Sequence, residues 1–270
     1  MSASSPSSSS RSAGFTASVW VARIAILVGA LVFLEQAPGT WVPKLFLAKP
    51  SAVGERLGEW MGFGDEDPIL WDALRTTLLH AGIGLICGTV LALVIAFVVW
   101  RSTVLARSVE PLMAVIHNVP RITLIPLFVF WLGNGDAPIN VYVIGTAFFP
   151  MFYNALQGWR AADRQVIDVL SIMGARPRHI FATYLLPQSR EFILSGLLIA
   201  APLTLVAAIV GEMLVGTGIG GMLSLYRVSF DADGLYTATV VASAVGVAIN
   251  TAVGRVNRRH RTRMLETGGL

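Results

Sequence analysis

The sequence predicts an all-α membrane protein with about six transmembrane helices. Of its 270 residues, 54% are hydrophobic and only 13% are charged, which is far from the composition of a soluble domain. Charge-free apolar runs recur along the chain, and about 20 such residues in a helix cross the hydrocarbon core of a bilayer. An unpaired backbone group in that core would cost several kcal/mol, so we expect each run to be helical.

The apolar runs define six predicted spans. The first, residues 18–34, is short and contains Arg23 near its start. The third, roughly residues 112–132, is interrupted by Pro120, Arg121 and Pro126. The other four contain no Asp, Glu, Lys or Arg. They cover residues 76–100, 137–159, 192–211 and 235–254.

The remaining segments flank or connect these spans. Residues 1–17 are rich in serine and are predicted to form a disordered tail, because they cannot bury enough apolar surface to offset the entropy cost of ordering. Residues 35–75 are predicted to form an extracytoplasmic (periplasmic) segment, which contains Pro, Gly and charges of both signs, with a short helix expected near residues 52–61. Residues 76–255 are predicted to form the core domain, and residues 256–270 a basic tail.

The distribution of basic residues predicts the orientation of the chain. Arginine is concentrated in residues 101–107, in residues 160–190 and after residue 254. The alternating segments carry acidic residues instead: Asp65, Glu66, Asp67, Asp72, Asp136, Asp231 and Asp233. Because cytoplasmic loops carry the excess of Lys and Arg, both termini are predicted to be cytoplasmic.

Several other classes of function are disfavoured by the sequence. The net charge of +4 is compatible with nucleic-acid binding, but the arginines lie beside spans, where anionic lipid attracts them. No G-x-x-x-x-G-K-[ST] loop is present, and the only lysines, Lys44 and Lys49, lie in the 35–75 segment, so we expect no nucleotide site in this chain. The four histidines are too dispersed for a metal motif. No nucleophile and base are paired within the spans, so no catalytic residue is expected either.

The basic interval from residue 160 to residue 190 has the pattern of two short helices around a glycine. Gly174 suits the left-handed position just past a helix end, and Pro177 suits the first turn of a second helix, where its missing N–H would be unpaired anyway. Pro187 is expected to end that second helix. An alternative is an amphipathic pair that only lies on lipid headgroups. The apolar residues recur at helical spacing: Val166, Val169, Leu170 and Met173, then Ile180, Phe181, Tyr184 and Leu185.

This interval resembles the cytoplasmic loop of permease subunits of binding-protein-dependent ABC importers. Their pattern is E-A-A, three residues, G, nine residues, I-x-L-P, and Asp168, Gly174, Leu186 and Pro187 occupy its spacing without a gap. The sequence departs from the pattern at residues 168–170, which read Asp-Val-Leu, and at Tyr184. These departures weaken the transfer of roles at those positions more than the resemblance itself.

Further motifs are similar to the nitrate, sulfonate and taurine branch of these permeases. Residues 49–53 read KPSAV, residues 119–121 read VPR and residues 125–127 read IPL. Residues 131–133 read WLG, and Glu212 is followed by GTGIG at residues 216–220. The resemblance covers about residues 45–255, so that the core domain is identified as an ABC permease domain.

The resemblance implies a multi-pass subunit of the bacterial plasma membrane that transports rather than catalyses. In this family two permease subunits form the translocation path, which implies a homodimer or a pair with a near-identical partner. A partner ATP-binding subunit binds the ATP, and an extracytoplasmic binding protein delivers a small solute such as nitrate, a sulfonate, taurine or a pyrimidine precursor of thiamine. The resemblance further implies that the loop at residues 160–190 makes the coupling contact with the ATP-binding subunit. The residues implied in this contact are Asp168, Val169, Leu170, Gly174, Ala175, Arg176, Tyr184, Leu186 and Pro187.

Two polar residues within the spans are candidates for the translocation path. Arg121 should lie near the bilayer centre if the third span is one helix starting near Pro111, and would present positive charge to a small anion. The alternative is an arginine paired with Glu110 or another polar group to fix helix packing. Glu212, at the end of the fifth span, is expected to hold a gate region or to meet the binding protein, or else to be a solvated helix-end carboxylate.

Glycines in two places are interpreted as structural. Gly84 and Gly88 have the G-x-x-x-G spacing that lets helix backbones approach closely, within the subunit or across a dimer. The glycines of residues 216–221 are expected to form a flexible turn.

A secondary transporter or channel is the alternative function. It would need no ATPase and often shows inverted repeats with charged midplane sites, neither of which is evident here.

Overall fold

Almost every residue that the computed structural model describes lies in a helix. The backbone is described for residues 9–63 and 68–267, and the side chains for residues 19–63 and 68–255. Within these ranges no strand occurs, and one isolated bridge pairs Pro38 with Val42. The predicted all-α class is confirmed.

Eleven α-helices are present in the described ranges. They are α1 (Ser9–Gln36), α2 (Pro50–Gly58), α3 (Ile69–Arg101), α4 (Thr103–His117), α5 (Ile125–Leu132), α6 (Asp136–Arg160), α7 (Arg164–Ile172), α8 (Pro177–Ile180), α9 (Leu186–Val215), α10 (Gly218–Val228) and α11 (Ala232–Thr267). Wider π turns occupy Glu59–Phe63 and Phe181–Leu185, and a tighter 3₁₀ turn occupies Arg121–Leu124.

The predicted count of about six spans is confirmed. Five helical stretches are long and apolar enough to cross a bilayer, and α4 with the segment Arg121–Leu132 forms a bent pair that makes a sixth if it counts as one span. The five are Val19–Gln36, Ile69–Arg101, Asp136–Arg160, Pro177–Val215 and Ala232–Arg255.

Several helices extend beyond the predicted spans, because helical hydrogen bonds continue past the apolar window until a helix breaker or a cap ends them. α3 begins directly after Pro68 rather than at residue 76. α1 begins at Ser9, inside the tail predicted to be disordered, so the prediction of disorder does not hold for residues 9–17. The first eight residues of that tail lie outside the described residues. α11 continues through the predicted basic tail to Thr267. The acidic residues predicted at positions 65–67 also lie outside the described residues.

The third predicted span is wrong as a single straight helix. α4 ends at His117, and the chain turns by 83° before α5. Pro120 lacks an N–H donor and its ring disfavours helical geometry in the residue before it, so the helix breaks there. Pro126 does not interrupt a helix but lies in the first turn of α5.

The chain forms two compact units, Met1–Asp67 with Tyr226–Thr237, and Pro68–Leu225 with Ala238–Leu270. In the first unit, α2 and the π turn after it confirm the short helix expected near residues 52–61. Arg56 forms an ion pair with Asp231 at 3.1 Å. Trp60 is buried and stacks on Tyr226 with ring centroids 5.4 Å apart.

The second unit is built around α6, which packs between α3 and α9. Gly84 and Gly88 of α3 lie directly against α6: a Cβ atom at Gly84 would be 2.2 Å from Val143 Cγ1, and one at Gly88 would be 2.7 Å from Ala147 Cβ. The G-x-x-x-G spacing therefore serves packing within the subunit.

Two clusters of buried apolar side chains fill this unit. One joins Ala96, Phe152 and Trp159 towards the end of the bundle where α6 leads into α7. The other joins Ile139, Val143 and other side chains near the opposite ends of these helices. The three packed helices therefore hold the basic loop at one end and Glu212 at the other.

Candidate functional site

The basic loop folds as the predicted helix–glycine–helix unit. Asp163 caps α7, because its Oδ1 accepts a hydrogen bond from the Gln165 backbone N–H at 2.8 Å. After α7, Gly174 has a φ of +82°, and the next residue, Ala175, donates its N–H to the Leu170 carbonyl at 3.0 Å. The predicted left-handed glycine is confirmed, and it makes the turn that orients the second helix.

The second half of the loop is continuous with the fifth span. Pro177 lies in the first turn of α8, as expected. The expectation that Pro187 ends this helix is wrong, since helical structure runs without a break from Pro177 to Val215. The π turn Phe181–Leu185 precedes Pro187, and its wider winding accommodates the missing N–H and the bulk of the ring.

Tyr184, where the sequence departs from the isoleucine of the family pattern, ties the two halves of the loop together. Its hydroxyl accepts a hydrogen bond from the Asp163 backbone N–H at 3.1 Å. The start of α7 is thereby anchored to the turn that leads into α9.

The apolar side chains of α7 divide between the bundle and the outside. Ile167 packs on the core cluster, whereas Val169, Ile172 and Met173 are 55%, 85% and 77% exposed. We call these three residues the outer patch. Exposed apolar side chains grouped in this way mark interaction sites.

The other residues predicted for the loop lie around this patch. Asp168 and Ala175 line a cavity of about 430 Å³ between the loop and the end of α3, together with Arg101 and Arg164. Arg176 is exposed and precedes α8 as its N-cap residue. Leu186 is 41% exposed, and Pro187 is exposed beside it.

Arg121 lies at the bend rather than in the middle of a helix, which corrects the predicted position. Its guanidinium carbon is 5.2 Å from the centre of the Phe149 ring, and its Nη2 is 3.5 Å from Nδ1 of His117. Of the predicted alternative, the Glu110 partner is wrong, because Glu110 pairs with Arg160, whereas His117 is another polar group of the kind that the alternative allowed. Arg121 is held by an aromatic ring and a histidine and has no carboxylate partner among the side chains described.

His117 of α4 and Phe149 of α6 lie beside this arginine, and Tyr153 of α6 packs against His117. His117 lies 5.0 Å from Phe149 and 5.7 Å from Tyr153 between ring centroids. A guanidinium group can bind an anion, and an aromatic side chain can stack on a flat ring. Arg121 and the rings near it can therefore contact a small polar solute.

Glu212 is completely buried, so the alternative of a solvated carboxylate is wrong. Its Oε2 accepts hydrogen bonds from Thr77 Oγ1 at 2.7 Å and from the Gly220 backbone N–H at 3.1 Å. Its Oε1 lies 2.8 Å from Nδ1 of His80. On the other side of the ring, Nε2 of His80 lies 3.3 Å from Oδ1 of Asp136. Glu212 thus joins three elements instead of lining an open surface.

The glycines after Glu212 enclose its carboxylate: the expected turn between helices occupies residues 216–217, and Gly218, Gly220 and Gly221 lie in the first turn of α10. Gly216 ends α9 in the left-handed conformation with a φ of +87°. Gly218 opens α10, where a Cβ atom would lie 2.4 Å from Glu212 Oε2. Ile219 is buried, and its backbone N–H donates to Thr77 Oγ1 at 3.0 Å.

Sequence reasoning missed His80 and Thr77 as members of this group. Both lie on one face of α3 at i, i+3 spacing within a charge-free run. A buried carboxylate in a neighbouring span requires hydrogen-bonding partners. The polar side chains of Thr77 and His80 in an otherwise apolar run could therefore have been predicted as the partners of Glu212.

The fold is that of an integral membrane protein with a helix–glycine–helix loop between its fourth and fifth spans. The family described as "Binding-protein-dependent transport system inner membrane component" matches residues 84–266. The chain belongs to this family and is a permease subunit of an ABC importer, a transporter component rather than an enzyme. The predicted resemblance to the nitrate, sulfonate and taurine type is confirmed.

Named relatives share long stretches of the chain. The formylaminopyrimidine transport permease protein ThiX of Halalkalibacterium halodurans is 29% identical over 182 residues, which are 67% of this chain and 73% of the relative. The putative aliphatic sulfonates transport permease protein SsuC of Bacillus subtilis is 22% identical and covers 70% of this chain and 69% of the relative. The taurine transport system permease protein TauC of Escherichia coli is 24% identical over 77% of this chain and 74% of the relative.

A solved structure has the same fold. A chain of the MetNI methionine ABC transporter in an inward-facing conformation aligns with a TM-score of 0.60 at 18% identity, covering 72% of this chain and 98% of that chain.

Proposed function

We propose that this chain forms the translocation path for a small solute and that its loop receives the motion of an ATP-binding subunit. The outer patch of α7 is the observation that carries the proposal. Its three apolar side chains face away from the bundle on a helix that Gly174, Asp163 and Tyr184 hold rigidly in place. An apolar patch on a rigid support is suited to a groove on another protein.

The continuous helix after the loop provides the mechanical connection. A displacement of α8 passes directly into α9, since the helical run from Pro177 to Val215 is unbroken. Glu212 and its partners lie at the last turn of α9, near the opposite end of the bundle. Binding and hydrolysis of ATP by the partner subunit would therefore move this chain, which itself needs no cofactor.

The remaining partners follow from the family. A second copy of this chain, or a near-identical subunit, would complete the path, and an extracytoplasmic binding protein would deliver the solute. The excess of arginine around the loop supports an orientation with both termini and the loop in the cytoplasm of a bacterial cell, within the plasma membrane.

The group around Arg121 supports two classes of solute. A guanidinium without a carboxylate partner suits a small anion such as nitrate, a sulfonate or taurine. The neighbouring rings of His117, Phe149 and Tyr153 suit a pyrimidine such as a thiamine precursor. The relatives named for sulfonates, taurine and formylaminopyrimidine support the same two classes.

Replacing Gly174 tests the coupling role of the loop. Valine at a φ of +82° strains the turn, so Gly174→Val should abolish ATP-driven uptake and reduce the amount of ATP-binding subunit that co-purifies. Gly254→Val is the matched control, because a Cβ there meets no atom within 4 Å and its φ is not in the left-handed range. Wild-type uptake and co-purification in the Gly174 variant would reject the proposal.

Uptake by this chain without an ATP-binding subunit tests the alternative function. A secondary transporter or channel would move solute in vesicles that contain this chain alone. We expect solute to accumulate only when the ATP-binding subunit and ATP are both present.

For the solute, Arg121→Gln should lower uptake of taurine or an alkanesulfonate at least tenfold, because it removes the positive charge. Arg121→Lys should restore part of that uptake. Uptake of an established anionic substrate that is unchanged in Arg121→Gln would reject the anion contact.

A further inference from the structure

A groove with an apolar wall and two arginines lies at the loop end of the bundle and shares Leu186 with the proposed coupling loop. It lies between the last turns of α3 and the helical stretch that begins at Pro177, and its cavity volume is about 500 Å³. Along α3 it borders Val94 and Val98, which are 56% and 49% exposed. An exposed apolar face on a membrane-spanning helix is suited to contact with acyl chains.

Two arginines lie at the same groove. Arg101 is the last residue of α3, and Arg178 lies in α8. Both side chains are exposed, and neither has an ion pair or hydrogen bond with any residue that the structure describes. Their positive charges are therefore available to a ligand in the groove.

Trp159, which also lines the groove, carries a buried polar atom without a partner in the part of the chain that the structure describes. Its side chain is only 2% exposed. Its indole N–H has no hydrogen-bond partner among the described residues. A buried donor without an acceptor is unfavourable, so an acceptor carried by a bound molecule would stabilise this position.

We propose that this groove binds an anionic phospholipid. The phosphate would lie at Arg101 and Arg178, because guanidinium groups bind phosphate with paired, charge-assisted hydrogen bonds. An ester carbonyl can accept the Trp159 N–H, and the acyl chain can follow the apolar wall. Basic pockets between spanning helices near the membrane surface bind anionic headgroups in this way. A neutral lipid would leave the excess positive charge uncompensated.

Native mass spectrometry of the full chain, purified in detergent with the subunits that accompany it, tests this proposal. The probes are phosphatidylglycerol and phosphatidylcholine with identical acyl chains. The wild-type protein should retain phosphatidylglycerol more tightly. The double variant R101Q/R178Q should lower phosphatidylglycerol affinity about 25-fold, since each arginine near the surface strengthens anionic-lipid binding about fivefold. Phosphatidylcholine binding should change little.

Two further variants make the test specific. Arg255→Gln is the matched control, because Arg255 is an exposed arginine at the end of a different spanning stretch, on the same predicted side of the membrane, and it does not line the groove; this variant should keep the wild-type affinity. Trp159→Phe keeps an aromatic ring but removes the N–H, and it should weaken both lipids.

Three results would overturn the proposal. They are equal retention of the two lipids by the wild-type protein, wild-type phosphatidylglycerol affinity in R101Q/R178Q, and an equal loss in Arg255→Gln. Displacement of the lipid when the ATP-binding subunit is bound would assign the groove to that subunit instead. If the double variant does not fold, the wild-type comparison and Trp159→Phe still decide the question.

Discussion

The hydroxyl of Thr77 is predicted to make a measurable contribution to the stability of this protein. It donates to the buried Glu212 carboxylate at 2.7 Å and accepts the Ile219 N–H at 3.0 Å. Thr77→Val replaces the hydroxyl with a methyl group of nearly the same size, so the packing is retained while both hydrogen bonds are lost. The carboxylate and the amide then remain buried with fewer partners.

The expected loss can be estimated from the two bonds separately. Hydrogen bonds between membrane helices contribute about 0.6 kcal/mol on average, which is appropriate for the bond from the neutral amide. A bond to a buried charged group contributes about 1.5–3 kcal/mol. Their sum gives a decrease in the free energy of unfolding of about 2–4 kcal/mol, and the bond to Glu212 dominates it.

Denaturant titration of the purified protein in detergent micelles, followed by circular dichroism, measures this difference. Thr76→Val is the control, since the Thr76 hydroxyl only donates to the Asp72 carbonyl within its own helix at 2.9 Å, and it should change the free energy by less than about 0.5 kcal/mol. If Thr77→Val is as stable as Thr76→Val, Glu212 does not depend on its Thr77 contact and the estimate is refuted.

Three other substitutions have expected outcomes. Gly84→Ala should lower the free energy of unfolding by about 1–3 kcal/mol, because its Cβ would overlap α6, whereas Gly82→Ala, with no atom within 4 Å, should be nearly neutral; similar values for both would contradict close packing of α3 on α6. Arg160→Gln should cost less than about 1 kcal/mol, because its ion pair with Glu110 is partly exposed, and the difference should shrink in high salt. Tyr184→Phe should speed hydrogen exchange at the start of α7 by about threefold to tenfold, because it removes an acceptor worth roughly 1 kcal/mol; unchanged exchange would show that this bond does not hold the loop.

Features that depend on nearby residues could be predicted from the sequence. The spans follow from hydrophobicity alone, since the bilayer imposes their length. Gly174 and Pro177 were placed correctly because a left-handed turn and a first helical turn each demand particular residues at one position. The helix–glycine–helix unit is therefore encoded locally.

Features that depend on distant residues could not be predicted. The environment of Glu212 is set by Thr77 and His80, which lie more than 130 residues earlier in the chain. Pro120 was seen to interrupt the third span, but the direction and size of the bend depend on how α5 packs against α6. Pro187 was misjudged because a π turn, which has no simple sequence signal, removed the conflict that would have ended the helix.

The close packing of α6 on α3 has a mechanical consequence. Where Val143 and Ala147 of α6 press directly on the backbone of α3, at Gly84 and Gly88, the helices cannot slide or rotate past one another without steric overlap. This pair must therefore travel as a rigid block in any change of shape. A change in the shape of the subunit must then occur in its less tightly packed parts, above all at the bend between α4 and α5. Arg121 lies at this bend and would move when the angle between the two helices changes.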